Sequence, residues 1–65
     1  MKTSNLKFEG LYNYTGGQAP LTLMYYGMTE DRYVFIPYDL NKKHFCGAPN
    51  SLTEKEVLNQ IKPIN

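Results

Sequence analysis

The chain has 65 residues, with seven basic and six acidic side chains, a net charge of +1 and a single cysteine. That length supports one domain, residues 1–65, because a second would leave neither half an interior to bury. The balanced charge lacks both the basic excess of a protein that lives on phosphate contacts and the carboxylate density of a DNA mimic. One cysteine excludes an intramolecular disulfide and leads to the expectation of a reducing, cytoplasmic setting.

No stretch offers the roughly 20 consecutive apolar residues of a membrane helix, since the uncharged residues 10–29 are broken by Asn13, Gly16, Gly17, Gln18 and Pro20. Residues 1–5 carry no apolar run behind a basic start, so no signal peptide and no membrane partner are expected. All nine aromatic residues, six of them tyrosine, fall between Phe8 and Phe45. The split predicts an aromatic sheet followed by a different kind of element.

Leu6, Phe8, Gly10, Tyr12 and Tyr14 alternate with Lys7, Glu9, Leu11 and Asn13, a period of two that predicts a first strand over about 5–14. Thr15-Gly16-Gly17-Gln18 then supplies a turn, its two glycines free to take positive φ. Pro20 precedes a second strand over 21–28, in which Leu21, Leu23, Tyr25 and Gly27 share one face and Thr22, Met24, Tyr26 and Met28 the other. Both faces carry apolar matter. After a polar turn at residues 29–32, the β-formers Val34, Phe35 and Ile36 predict a third strand over 33–38, which Pro37 places at an edge or ends.

Residues 39–43 read as another turn, and His44-Phe45-Cys46 fits either a short fourth strand over 43–46 or a closing loop. Thr53 with Glu56 three residues later makes a capping box, and Leu52 with Val57 a hydrophobic staple, so a helix is predicted over 54–62, with Pro63 limiting it. Ser51 with Glu54 is an alternative box two residues earlier. Val57, Leu58 and Ile61 form the apolar stripe of this helix. Two and a half turns are marginal alone, so the helix must dock on the sheet. The expected fold is α+β: a three-stranded antiparallel meander, four-stranded if 43–46 pairs, with one C-terminal helix packed on it.

Catalytic chemistry finds little support. His44 and Cys46 could form a base and a thiol nucleophile, but no third polar residue is spaced to orient the imidazole, and a buried cysteine beside an edge histidine explains both. They are also too few as soft ligands for a metal cluster. Glu30 and Asp31 read as a solvated hairpin tip. The Gly16-Gly17 turn joins two strands and is followed by no nearby lysine, unlike a phosphate loop. No catalytic residue, metal site or cofactor is assigned.

What remains is a binding surface. If the helix covers one side of the sheet, the side bearing Met24 and Tyr26 is left toward solvent, with Tyr33 or Phe35 as neighbours, in a mixed aromatic and methionine patch typical of protein interfaces. Curling of the sheet so that both sides share one core is the rival arrangement. The expectation is a non-catalytic protein-binding module, an inhibitor, adaptor or assembly factor, with another protein or a second copy as partner and a homodimer as one outcome. Its contacts would come from Tyr12, Tyr14, Met24, Tyr26, Tyr33 and Tyr38, with Arg32 as a charged rim. The alternative is single-stranded nucleic acid stacked on exposed tyrosines, with Lys7, Arg32, Lys42 and Lys43 at phosphates.

Overall fold

Short turns between strongly β-forming runs make sequential neighbours pair, and the computed structural model, which describes residues 3–64, follows that rule through its first half. Strands β1 (Leu11–Tyr14), β2 (Leu21–Thr29) and β3 (Arg32–Asp39) form an antiparallel meander, with Leu23 opposite both Tyr12 and Pro37. The short β4 (His44–Phe45) and β5 (Asn50–Leu52) both pair with β3 on its far side, β5 against Tyr33–Phe35 and β4 against Tyr38–Asp39. Helix α1 (Glu54–Gln60) then carries the chain to the opposite edge, where β6 (Ile61–Pro63) pairs with β1. The sheet has six strands, in the order β6-β1-β2-β3 with β4 and β5 sharing the last edge.

The α+β class, the antiparallel meander and the C-terminal helix agree with expectation, while the strand count exceeds the three or four expected. The additional strands are β5 and β6, and several details of the expectation change with them. The third strand is not an edge: Pro37 is buried opposite Leu23. Its carbonyl accepts the Cys46 N–H at 3.0 Å, so its ring nitrogen faces the same side, in the gap between β4 and β5, and no ladder bond is lost.

The helix ends at Gln60 rather than continuing to 62. Ile61 donates its N–H to the Val57 carbonyl but is already extended, at φ −104° and ψ 128°, and starts β6. Leu58, expected in the apolar stripe, is exposed, whereas Val57 and Ile61 are fully buried. The Thr53–Glu56 capping box forms as expected: Thr53 Oγ1 accepts the Glu56 N–H at 3.2 Å and Glu56 Oε1 accepts the Thr53 N–H at 2.9 Å.

The first strand is shorter than 5–14. A 3₁₀ turn at Thr3–Asn5 leads into a tight bend in which Gly10 N–H reaches the Lys7 carbonyl at 2.8 Å and Glu9 adopts φ 65°. The bend interrupts the period of two, so Phe8 leaves the face of Tyr12 and Tyr14. Gly10 permits it, since a Cβ there would stand 2.9 Å from the Lys7 carbonyl oxygen. Gly16 and Gly17 do not take positive φ; only Gly27 does among the described glycines, at 97°. Gly16 is in close approach instead: a Cβ would lie 2.6 Å from the ends of the Gln60 and Tyr14 side chains, which would have to shift to admit it.

The core lies between the sheet and α1 and consists of Tyr12, Leu23, Tyr25, Phe35, Leu52, Val57 and Ile61, with Leu6, Tyr14 and Tyr33 packed at its border. Tyr12 and Phe35 meet edge to face at 6.4 Å, and Tyr25 tilts against Phe35 at 5.3 Å. The Tyr12 hydroxyl accepts the Lys7 N–H at 2.9 Å, so burying this phenol strands no polar group. Burial pushes the Tyr25 phenol pKa upward, with Tyr33 and Tyr12 adding to the effect.

Two stability outcomes are expected. Gly10→Ala should destabilise the fold by about 1–3 kcal/mol in chemical denaturation, whereas Gly17→Ala, with nothing nearer than 3.7 Å to its Cβ, should be neutral or slightly stabilising. Thr53→Ala should cost about 1 kcal/mol through loss of the cap. The backbone and side-chain hydrogen bonds from Thr53 hold the Glu56 pKa below its ordinary value, so this contribution is present above the unfolded-state pKa and is lost as pH falls through the lower folded one. Glu56→Gln should flatten that acid limb in pH-dependent denaturation.

Candidate interaction face

Because α1 covers one side of the sheet, strand alternation assigns every core residue an opposite-facing neighbour. Tyr12, Leu23, Tyr25 and Phe35 point to the helix; Leu11, Met24 and Ile36 therefore point away, and the register places Leu11 opposite Met24 and Met24 opposite Ile36. These three form an aliphatic row across the three central strands. Each is half-buried, and among the described elements none packs over this side.

A run of aromatic rings lies along the same face. Phe8 tilts against Tyr26 at a centroid distance of 5.1 Å, Tyr26 meets Phe45 edge to face at 5.9 Å, and Phe45 meets Tyr38 in the same way at 5.6 Å. Phe8, Phe45 and Tyr26 are 63%, 43% and 40% exposed. The three ring-to-ring contacts hold the run in one arrangement, each adding about 0.5–1.5 kcal/mol beyond the area it buries.

Two backbone irregularities shape this run. The pairing of β2 with β3 shifts between Tyr25 and Met28, a bulge that sets Tyr26 and Gly27 against Val34 and pairs Met28 with Tyr33, so that Met28 leaves the side that Tyr26 reaches by alternation. Gly27 has φ 97° in this bulge, a conformation that L side chains rarely adopt, and the Phe8 ring lies over it at ordinary contact distance, 3.9 Å from where a Cβ would stand. The bend at residues 7–10 supplies that ring, secured by Glu9 N–H to the Tyr25 carbonyl at 2.7 Å and Tyr25 N–H to the Gly10 carbonyl at 2.9 Å. At the other end, Asp39 Oδ1 accepts the Asn41 and Lys42 N–H groups and so tightens the turn that brings Phe45 opposite Tyr38.

The residues expected at an interface divide between the two sides. Met24, Tyr26 and Tyr38 stand on the open face. Tyr12 is in the core at 6% exposure, and Tyr14 and Tyr33 pack against that core from the helix side. The neighbours expected for Met24 and Tyr26 change accordingly: Phe35 is fully buried under the helix, and their places are taken by Ile36 and Phe45. Arg32 is exposed at the start of β3, where its charge helps to keep Glu56 ionised. Phe8 and Phe45, the most exposed rings of the run, were not expected at a site; their apolar type was the one available signal.

The face is electrically quiet at its centre. Leu11, Met24, Tyr26, Val34, Ile36, Tyr38 and Phe45 carry no charge, and the basic groups nearest in sequence and register, Lys7 beside Phe8, Lys42 and Lys43 in the turn before Phe45, and Lys62 opposite Asn13, stand at its margins. His44 and Cys46 are both exposed, and His44 Nδ1 lies 2.9 Å from the Phe45 carbonyl oxygen, a backbone partner rather than the thiol. Among the described residues no group of three or more His, Cys, Asp or Glu side chains is placed to hold a metal ion, and no helix is long and apolar enough to cross a membrane. Comparison with protein-family models, curated proteins and solved structures finds no match for this chain.

Proposed function

We propose that this chain is a non-catalytic, cytoplasmic protein-binding module that engages its partner through the open sheet face. The observation that carries this reading is the fixed run Phe8–Tyr26–Phe45–Tyr38 beside the aliphatic row Leu11–Met24–Ile36, left uncovered opposite a well-packed core. Apolar surface costs about 25 cal/mol for each Å² kept in water, and a chain this small has little stability with which to offset it. Aromatic and methionine side chains with a neutral centre and charges at the margin are the composition of an interface core and its rim. A single nucleic-acid strand would also stack on such rings, but it needs cations along them to meet its phosphates, and these lie at the edges.

The double variant Phe8→Ser/Phe45→Ser tests the reading, since both positions are exposed and the fold should survive by circular dichroism. Used as baits in their native cell extract, wild type should retain a specific protein and the variant should lose it. Salt-sensitive binding of short single-stranded DNA or RNA, with NMR shifts at Tyr26 and Phe45 and no protein partner, would overturn it in favour of nucleic-acid binding.

A further inference from the structure

We infer that the occupant of the open face is the same face of a second copy of this chain, the two sheets stacked with their β3 strands antiparallel. This rests on the protein-binding reading above and names the partner.

Charge is the first argument. In a two-fold contact each residue near the axis meets its own copy or a close neighbour of it, so a charged centre repels itself. Here the centre, Leu11, Met24, Tyr26, Ile36 and Phe45, is neutral. The ends of β3 are not. At its start stand Glu30 and Asp31 with the strand's first residue Arg32, for a net charge of −1, and at its end its last residue Asp39 with Lys42 and Lys43, for a net charge of +1. Eight strand residues hold these ends about 26 Å apart. Antiparallel stacking lays the acidic turn of one copy over the basic turn of the other at both ends, whereas parallel stacking sets like against like. The charges therefore select one of the two stackings.

Area is the second. The molecule extends 30 × 21 × 20 Å between Cα atoms. Only β2 and β3, of nine and eight residues, run that length, and β1, β4, β5 and β6 have four, two, three and three, so at about 3.3 × 4.8 Å per residue the face projects to roughly 450 Å² before its side chains add relief. A stable interface of standard size buries about 800 Å² per partner. Face-to-face packing, with sheets about 10 Å apart and strands within about 30° of alignment, is the arrangement that can bury nearly all of this surface at once, and it turns two half-covered sheets into one sandwich.

Sedimentation equilibrium of the full chain should show a monomer–dimer equilibrium. Phe8→Ser/Phe45→Ser should raise its Kd by about tenfold or more. Lys42→Glu/Lys43→Glu, changed only at an exposed turn, should weaken the dimer by about tenfold at low salt, and adding Glu30→Lys/Asp31→Lys to that variant should restore it toward wild type. A protein that stays monomeric at about 1 mM, or a dimer indifferent to both sets of substitutions, overturns the inference. If the monomer nevertheless retains another protein that Phe8→Ser/Phe45→Ser releases, the second copy is wrong and the protein-binding reading stands. A monomer with no face-dependent protein partner removes both.

Discussion

A seven-residue helix about 10 Å long has to serve a sheet about 19 Å wide, and the arrangement of this molecule depends on how that shortfall is met. The helix reaches only the centre, where Phe35, Val57 and Ile61 are fully buried. Large rings extend the cover outward: Tyr12 and Tyr25 lie against Phe35 and fill the space that longer helical side chains would otherwise occupy. Tyrosine suits this position because its ring buries apolar area while its hydroxyl can reach a polar group at the border, as Tyr12 does with the Lys7 N–H. The radius of gyration, 10.8 Å, is that of a fully collapsed chain of this length, about 11 Å. The helix side is thus served by about two turns of helix and three rings, and no further segment among the described residues is left to serve the other side.

The crossover fixes which strands can exist. Once the chain leaves β5 on one edge and reaches β6 on the other, both of its ends are tied by tertiary bonds. Thr15 donates its N–H and its hydroxyl to the Gln60 carbonyl, at 2.8 and 3.1 Å, just where α1 gives way to β6. At the other end the pairing of β5 with β3 makes the tie, and the capping box, a local bond set, closes the start of α1 directly after it. Neither β5 nor β6 has more than three residues, so neither would persist without β3 or β1 beside it.

Those dependences separate what was legible in the sequence from what was not. β2, β3 and the capped helix were legible because each is written locally, in a β-forming run or in Thr53 and Glu56 at the correct spacing. β5 and β6 were not, because Asn50-Ser51-Leu52 and Ile61-Lys62-Pro63 have no strand signal of their own and are made extended by an edge that only the folded sheet provides. Val57, Leu58 and Ile61 fit a helical stripe as well as they fit the real hand-over at Ile61, and spacing alone does not choose between them. Likewise Pro37 obeys its missing donor inside the sheet, because two short strands leave a gap opposite it. On the open face, Met24, Tyr26 and Tyr38 followed from alternation within single strands, while Phe8 and Phe45 required a bend and a register that span different parts of the chain.

The bend at residues 7–10 joins the two sides of the molecule. Its Lys7 N–H is held by the hydroxyl of Tyr12 from within the core, and two residues on, the Glu9 N–H is held by the carbonyl of Tyr25, another core residue. Between them Phe8 is placed over Gly27 and against Tyr26, at the head of the aromatic run. The position of the most exposed ring on the open face is therefore set by hydrogen bonds from the buried layer, not by its own packing. A tyrosine at position 12 then serves two ends that phenylalanine would not: it fills the space beside Phe35, and its hydroxyl anchors the bend that presents Phe8. A second constraint stands at Gly27, which takes φ 97° in the bulge and lies beneath the Phe8 ring, beside a Tyr26 that alternation turns away from the core residue Tyr25. Core and face are built by one set of backbone constraints, which is how so short a chain holds an apolar surface in a defined shape without a second layer to support it.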